Sequence, residues 1–346
     1  MRTFFYAVVL FIVSWSCQRT SPPAEQVLFS AEADTTIACY RIPALAVAKN
    51  GALLAAIDQR VPSCGDLRSN RDINIVLRRS IDHGATWSKE GVVVNFPLGQ
   101  SASDPSFMVD QQTGTVFLLY NFMDLDRAPN EYRFHLLRSD DHGVSWSDPV
   151  DITSQIKDPA WQNDFTFITS GHGIQTQEGT LLHTLVHLEQ GVFLFGSTNG
   201  GRTWQRFGTP VQPADESKVV ELPGGIWMIN SRVNEVGYRV VHTSADRGVN
   251  WTTRSDSVLI DPGCNAALVY HPAGDRLYFV NAKHSFRREN LTLRHSKDRG
   301  HTWSRGEAIF PGSAAYASMV VLPTGELGIL YERNDYTEHV FVRVNE

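Results

Sequence analysis

Hydrophobic and polar positions alternate along this chain in short runs of about four to seven residues, closed off by Gly, Pro, Asn or Asp, and long stretches with helical spacing are absent. The runs fall into triplets: 44–48, 53–58 and 73–79; 106–109, 116–121 and 133–138; 173–176, 181–187 and 192–196. Three more follow at 219–222, 226–231 and 238–243; 266–270, 277–282 and 291–295; and 318–322, 327–332 and 339–344. One strand-like segment, 26–30 (QVLFS), belongs to none of them. Short strands at even spacing predict an all-β chain built from repeated small sheets.

The first five triplets each end in the same eight-residue pattern, Ser-x-Asp-x-Gly-x-x-Trp. The copies are SIDHGATW from Ser80, SDDHGVSW from Ser139, STNGGRTW from Ser197 (with Asn199 for Asp), SADRGVNW from Ser244 and SKDRGHTW from Ser296. Their starts are 59, 58, 47 and 52 residues apart, the spacing of a four-stranded propeller blade plus variable loops. Short Ser and Asp side chains bond nearby backbone N–H groups, Gly takes a positive φ and Trp packs the hairpin shut, so the pattern is a turn and not a catalytic site. No copy offers more than two acidic side chains where calcium wants about six or more oxygens, so no metal is expected. The sixth triplet lacks the pattern and a fourth strand, and 26–30 can complete it. The expected fold is a six-bladed β-propeller with five such turns and no open sheet edge at its closure.

Composition narrows the function. Thirty-one Lys and Arg against 37 Asp and Glu give a net charge of −6, which speaks against a partner held by many phosphates and leaves room for a small anion met by local arginines. At the N-terminus, Arg2 precedes the apolar run Phe4 to Val13, too short to span a bilayer, and Ser14-Trp15-Ser16 leads into Cys17. Residues 1–16 therefore read as a lipoprotein-like signal peptide, 17–25 as a tether and 26–346 as the propeller. The protein is expected to be exported, as a periplasmic or cell-surface lipoprotein or as a secreted protein, touching membrane only through an N-terminal lipid. Of Cys39, Cys64 and Cys264, at most one pair can form a disulfide.

Up-and-down blades place all five turns on one face and gather other loops on the opposite one. That second face collects Arg41, Arg60, Asp66, Asp104, Glu216, Arg232, Arg288 and Tyr316, with Trp161, Phe165 and Phe167 expected as pocket walls. Several arginines at one channel end suit a carboxylate or phosphate.

At these residues the chain resembles the exo-sialidase (neuraminidase) superfamily, six-bladed propellers whose repeated turn is called the Asp box. Arg41 in CYRIPAL resembles the Arg-Ile-Pro signature and the first of three arginines that hold the substrate carboxylate. Arg232 in MINSR and Arg288 in RRENLTLR match the other two, with Arg287 as a near competitor. Arg60 in DQR matches a further pocket arginine. Asp66 in SCGD matches the acid/base aspartate, with Asp72 as its rival. Asp104 in SDPSF matches the aspartate facing the N-acyl group, Glu216 in DESKVVEL the glutamate that partners a tyrosine, and Tyr316 in AAYASMVVL that nucleophilic tyrosine. The segment 171–185 departs from the family at Thr180 and His183, where a more basic, Pro-containing pattern is usual.

The resemblance implies a retaining exo-α-sialidase acting on terminal sialic acids of glycans. It implies no cofactor, no metal and no nucleic acid, and a monomer. A non-catalytic carbohydrate-binding propeller would have lost the acid, the glutamate or the tyrosine. A protein-interaction platform would show no convergence of arginines.

Overall fold

The computed structural model describes residues 25–345. The expected signal peptide, Cys17 and nearly all of the tether lie outside them. The fold is all-β, and its one α-helix among the described residues is the short Thr153–Ile156.

Five sheets, antiparallel apart from one two-residue strand, follow one another along the chain in a propeller-like arrangement. The first runs Cys39–Val47, Leu53–Arg60, Ile73–Ser80 and Gly91–Val94; the second has Gln100–Val109, Val116–Asp124, Arg133–Ser139 and Val150–Asp151. The third is built on Leu181–His187, Gly191–Ser197 and Gln205–Val211, and the fourth on Ser217–Leu222, Ile226–Ser231, Tyr238–Ser244 and Thr252–Ile260. A seven-stranded sheet completes the ring: Ala267–His271, Arg276–Ala282, Glu289–Ser296, Glu307–Val321, Leu327–Arg333, Glu338–Val344 and, at its edge, Gln26–Phe29. It stays continuous because Glu307–Val321 first pairs outward with Glu289–Ser296 and then, past a register shift, with Leu327–Arg333. Inner strands pack side by side around an axis, and Glu307–Val321 meets Cys39–Val47 to close the circle. The 26–30 segment pairs with Glu338–Val344, as its sequence led us to expect.

The Ser-x-Asp-x-Gly turns have one geometry throughout. In each, the Ser hydroxyl donates to the Asp or Asn two residues on and accepts from the Gly N–H at 2.8 Å. The Gly (Gly84, Gly143, Gly201, Gly248, Gly300) has φ between 80° and 84°. A Cβ there would strike the core as well as strain the backbone: at Gly143 it would lie 2.5 Å from Leu54, and at Gly201 2.2 Å from Phe117. Both struck residues belong to the preceding sheet, so these turns lock one sheet onto the last.

The third sheet differs from expectation. The predicted strand 173–176 is shortened to Ile174–Gln175 and shares the inner edge with Thr166–Ile168, the two pairing with opposite ends of Leu181–His187. Between them Gly171–His172 leaves to pair in parallel with Gln100–Val109 of the second sheet. Gly171 has φ 106°.

Candidate active site

The inner strands carry their functional side chains at breaks in the hydrogen-bond ladder. On Cys39–Val47, pairing with the neighbouring strand skips from Arg41 to Ala44; on Gln100–Val109 it skips from Ser103 to Ser106. Both gaps hold an X-Pro pair, Ile42-Pro43 and Asp104-Pro105. Pro has no N–H to give the ladder, and the residue before it stands at φ 64° (Ile42) or 61° (Asp104). The Arg-Ile-Pro and Ser-Asp-Pro segments are thus two uses of one bulge, each turning a side chain out of the sheet. A third shift, between Ala314 and Ala317, brackets Tyr316.

All eight residues singled out from the sequence line one cavity of 520 Å³: Arg41, Arg60, Asp66, Asp104, Glu216, Arg232, Arg288 and Tyr316. A second cavity of 510 Å³ opens further along the same inner strands, but its lining is mainly aliphatic and contains no arginine. The charged cavity is therefore the candidate site. Neither rival lines it. Arg287 points away into an exposed pair with Glu289, and Asp72 stays in its own turn. Phe165 and Phe167 do form walls, but Trp161 does not: it is buried behind them against His187 and Phe193, with Arg206 over its ring.

Of the arginines lining the cavity, Arg41, Arg232 and Arg288 are held under different restraint. Arg41 Nε donates to Glu332 at 2.9 Å, and its guanidinium lies 4.0 Å over the Tyr336 ring. Arg232 donates to Glu216 and to Asn234 Oδ1 (2.8 Å), with Tyr316 Oη at 3.3 Å. Arg288 touches Tyr336 Oη (3.4 Å) and the Gly263 carbonyl (3.3 Å), and has no carboxylate partner among the described residues. Converging, partly unneutralised guanidinium groups suit a small oxyanion such as a carboxylate.

Beside them Tyr316 Oη donates to Glu216 Oε2 at 2.8 Å. Burial, reinforced by the Glu216 charge, pushes the phenol well above its ordinary value, so it is a neutral hydroxyl with a base already attached. At the mouth, the Asp66 carboxylate is 81% exposed and accepts from fully buried Arg60 at 2.7 Å. Arg60 also pairs with buried Asp58 at 3.0 Å. Asp58 in turn accepts from Ser103 Oγ (2.6 Å) and from the Asp104 backbone N–H (3.0 Å). Burial, with the Asp58 charge nearby, raises the Asp104 carboxyl above the usual carboxylate range.

Three contributors escaped the sequence reading. Glu332 is buried, accepts from Arg41 Nε, Ile42 N (2.8 Å) and Tyr316 N (3.1 Å), and so ties the first arginine to the tyrosine. Its charge is sustained mainly by Arg41, which holds the carboxyl well below the usual range against the cost of burial. An acidic residue inside the apolar strand LGILYER was the available signal. Asp58 offered the same signal inside LLAAIDQR. Tyr336 offered none, since it follows Asn334 and Asp335 through three successive left-handed residues (φ 52°, 53° and 71°) that no local pattern marks.

Cys39 and Cys64 form the disulfide, leaving Cys264 buried and free. The bond fastens the Asp66 loop to the strand that bears Arg41. Cys64→Ser is expected to cost about 3 kcal/mol of stability, the chain entropy of its 25-residue separation. Chemical denaturation of the two proteins measures this, and equal midpoints would contradict it.

The profile of the BNR repeat-like domain family matches residues 51–329. The sialidase of Micromonospora viridifaciens is 34% identical over 329 residues, covering 85% of this chain and 50% of that protein. That of Bacteroides fragilis (strain YCH46) is 31% identical over 334 residues, covering 86% and 61%. This chain thus spans half to three-fifths of the length of these two relatives. Among solved structures, a Hadza microbial sialidase superposes with a TM-score of 0.82 at 28% identity, covering 90% of this chain and 66% of that one.

Proposed function

This chain belongs to the BNR-repeat sialidase superfamily, and from that premise we propose that it is an exo-α-sialidase that removes terminal sialic acids from glycans with retention of configuration. We count its ring as six blades with five Asp-box turns, dividing the seven-stranded sheet at the shared strand Glu307–Val321. The observation that carries the activity is the 2.8 Å bond from Tyr316 Oη to Glu216 Oε2 within reach of three converging arginines.

The substrate's charge explains the choice of groups. Sialic acid bears a carboxylate on its anomeric carbon, and Arg41, Arg232 and Arg288 receive it. A carboxylate nucleophile would approach against like charge, whereas neutral Tyr316 avoids most of that repulsion. As the Tyr316 oxygen bonds to the anomeric carbon, its proton passes to Glu216 and Asp66 gives a proton to the departing glycosidic oxygen, in the manner of the superfamily. Water then attacks the sialyl-tyrosine, Asp66 takes the water's proton and Glu216 returns one to Tyr316. Arg232, 3.3 Å from the phenol oxygen, steadies the charge that develops there. Asp104 faces the N-acyl group. Two displacements regenerate the starting configuration.

We read the chain as an exported monomer tethered by a lipid on Cys17, with no cofactor. The Cys39–Cys64 bond supports an oxidising compartment. The function is tested by incubating the purified protein with a fluorogenic α-sialoside and following the released sugar by NMR. Release of α-sialic acid ahead of the β form is expected. A folded protein that releases none from N-acetylated or deaminated sialosides would overturn the reading.

A further inference from the structure

The rim of the charged cavity holds a guanidinium that the chemistry above leaves unused. Arg68 stands two residues beyond Asp66, is exposed, and has no carboxylate partner among the described residues. It is nevertheless held in place. Its guanidinium lies 5.7 Å from the Phe165 ring, which is itself fixed by Tyr132 at 4.8 Å and Phe167 at 5.4 Å. The loop beneath is pinned by the Cys39–Cys64 bond, by Asn70 Nδ2 donating to the Ser63 carbonyl (2.7 Å) and by Ser69 N donating to the Asp66 carbonyl (2.8 Å). The next cation on this loop, Arg71, is already paired with Asp126 at 2.6 Å.

Position gives this charge a use. Asp66 must reach the glycosidic oxygen to protonate it, so the first sugar of the leaving group lies beside Asp66, and Arg68 extends from the same turn. A neutral galactose offers Arg68 only hydroxyls, whereas a leaving group with an anion on its first sugar offers a charge-assisted contact.

We propose that Arg68 determines specificity for the leaving group, favouring sialosides in which the sugar next to the scissile bond is itself anionic. The proposal rests on the sialidase reading. A second sialic acid supplies such a charge as a carboxylate, and a sulfated sugar supplies it as a sulfate.

Two substrate pairs hold linkage constant while changing the charge. One is a disialoside with its inner carboxylate free or converted to the amide; the other is a sialyl-N-acetyllactosamine with or without a sulfate on its galactose. In at least one pair the wild type is expected to favour the charged member in kcat/KM by about fivefold, the scale of one partly screened charge contact. The pair that shows the preference identifies the source of the charge. Arg68→Gln should bring the ratio to about one, Arg68→Lys should keep part of it, and added salt should shrink it in the wild type. A merely structural Arg68 would change both members alike. A wild-type ratio near one in both pairs, or a ratio unchanged in Arg68→Gln, overturns the proposal while leaving the sialidase reading intact. No turnover of any sialoside overturns both.

Discussion

Tyr316→Phe is expected to lower kcat on an α-sialoside by at least about a thousandfold, some 4 kcal/mol of barrier, while leaving affinity for a carboxylate-bearing transition-state analogue within about threefold. The substitution removes one oxygen. Arg41 and Arg288, whose guanidinium groups lie 5.8 and 5.4 Å from the Tyr316 ring, keep that ring beneath them. Arg232 keeps its bonds to Glu216 and Asn234. The anion receptor should therefore survive intact and bind, yet no nucleophilic oxygen faces the anomeric carbon. Turnover on a fluorogenic sialoside and inhibitor titration by calorimetry separate the two effects. If kcat fell less than tenfold, another group would be the nucleophile. If inhibitor binding collapsed along with kcat, Tyr316 would be holding the arginines rather than reacting.

Asp66→Ala should show a loss that depends on what leaves. For a natural sialyl-lactose, whose departing alkoxide needs a proton, kcat/KM is expected to fall by about a hundredfold to ten-thousandfold. For an aryl sialoside, whose phenolate departs unaided, the fall should stay within about tenfold because the proton matters little to that bond cleavage. The site tolerates the change. Asp66 is exposed, and Arg60 beneath it retains the fully buried Asp58 as its counter-ion, so no buried charge is stranded. Equal losses on both substrates would assign Asp66 a structural role, and the leaving-group signature appearing in Asp72→Ala instead would move the acid there.

Much of this architecture was legible because it repeats. Five copies of one turn set the blade length, and each strand between them declared itself by alternation over a few residues. The site was legible for a different reason: the residues that meet the cavity are polar groups at the ends of apolar strands, where topology alone sorts them by face. What resisted reading depends on partners far along the chain. Trp161 looked like a pocket wall because its loop reaches the right face, but the apolar space behind that loop, next to Phe193, was the better place for a large indole. The inner strand of the third sheet looked continuous at 173–176, yet positive φ at Gly171 releases two residues to the neighbouring sheet. Glu332 matters through its bond to Arg41, 291 residues away, and no local window contains both.

That separation bears on when the protein first becomes competent. The strand Gln26–Phe29 pairs with Glu338–Val344, and Arg41 is held by Glu332, so segments far apart along the chain meet in one structure. A nascent chain still on the ribosome can assemble the middle sheets from their local hairpins, but it leaves Arg41 without its counter-ion and Tyr316 without its backbone anchor until Glu332 has emerged. The arginine cluster therefore comes together late, and fragments cut short before Glu332 should carry sheets but no site.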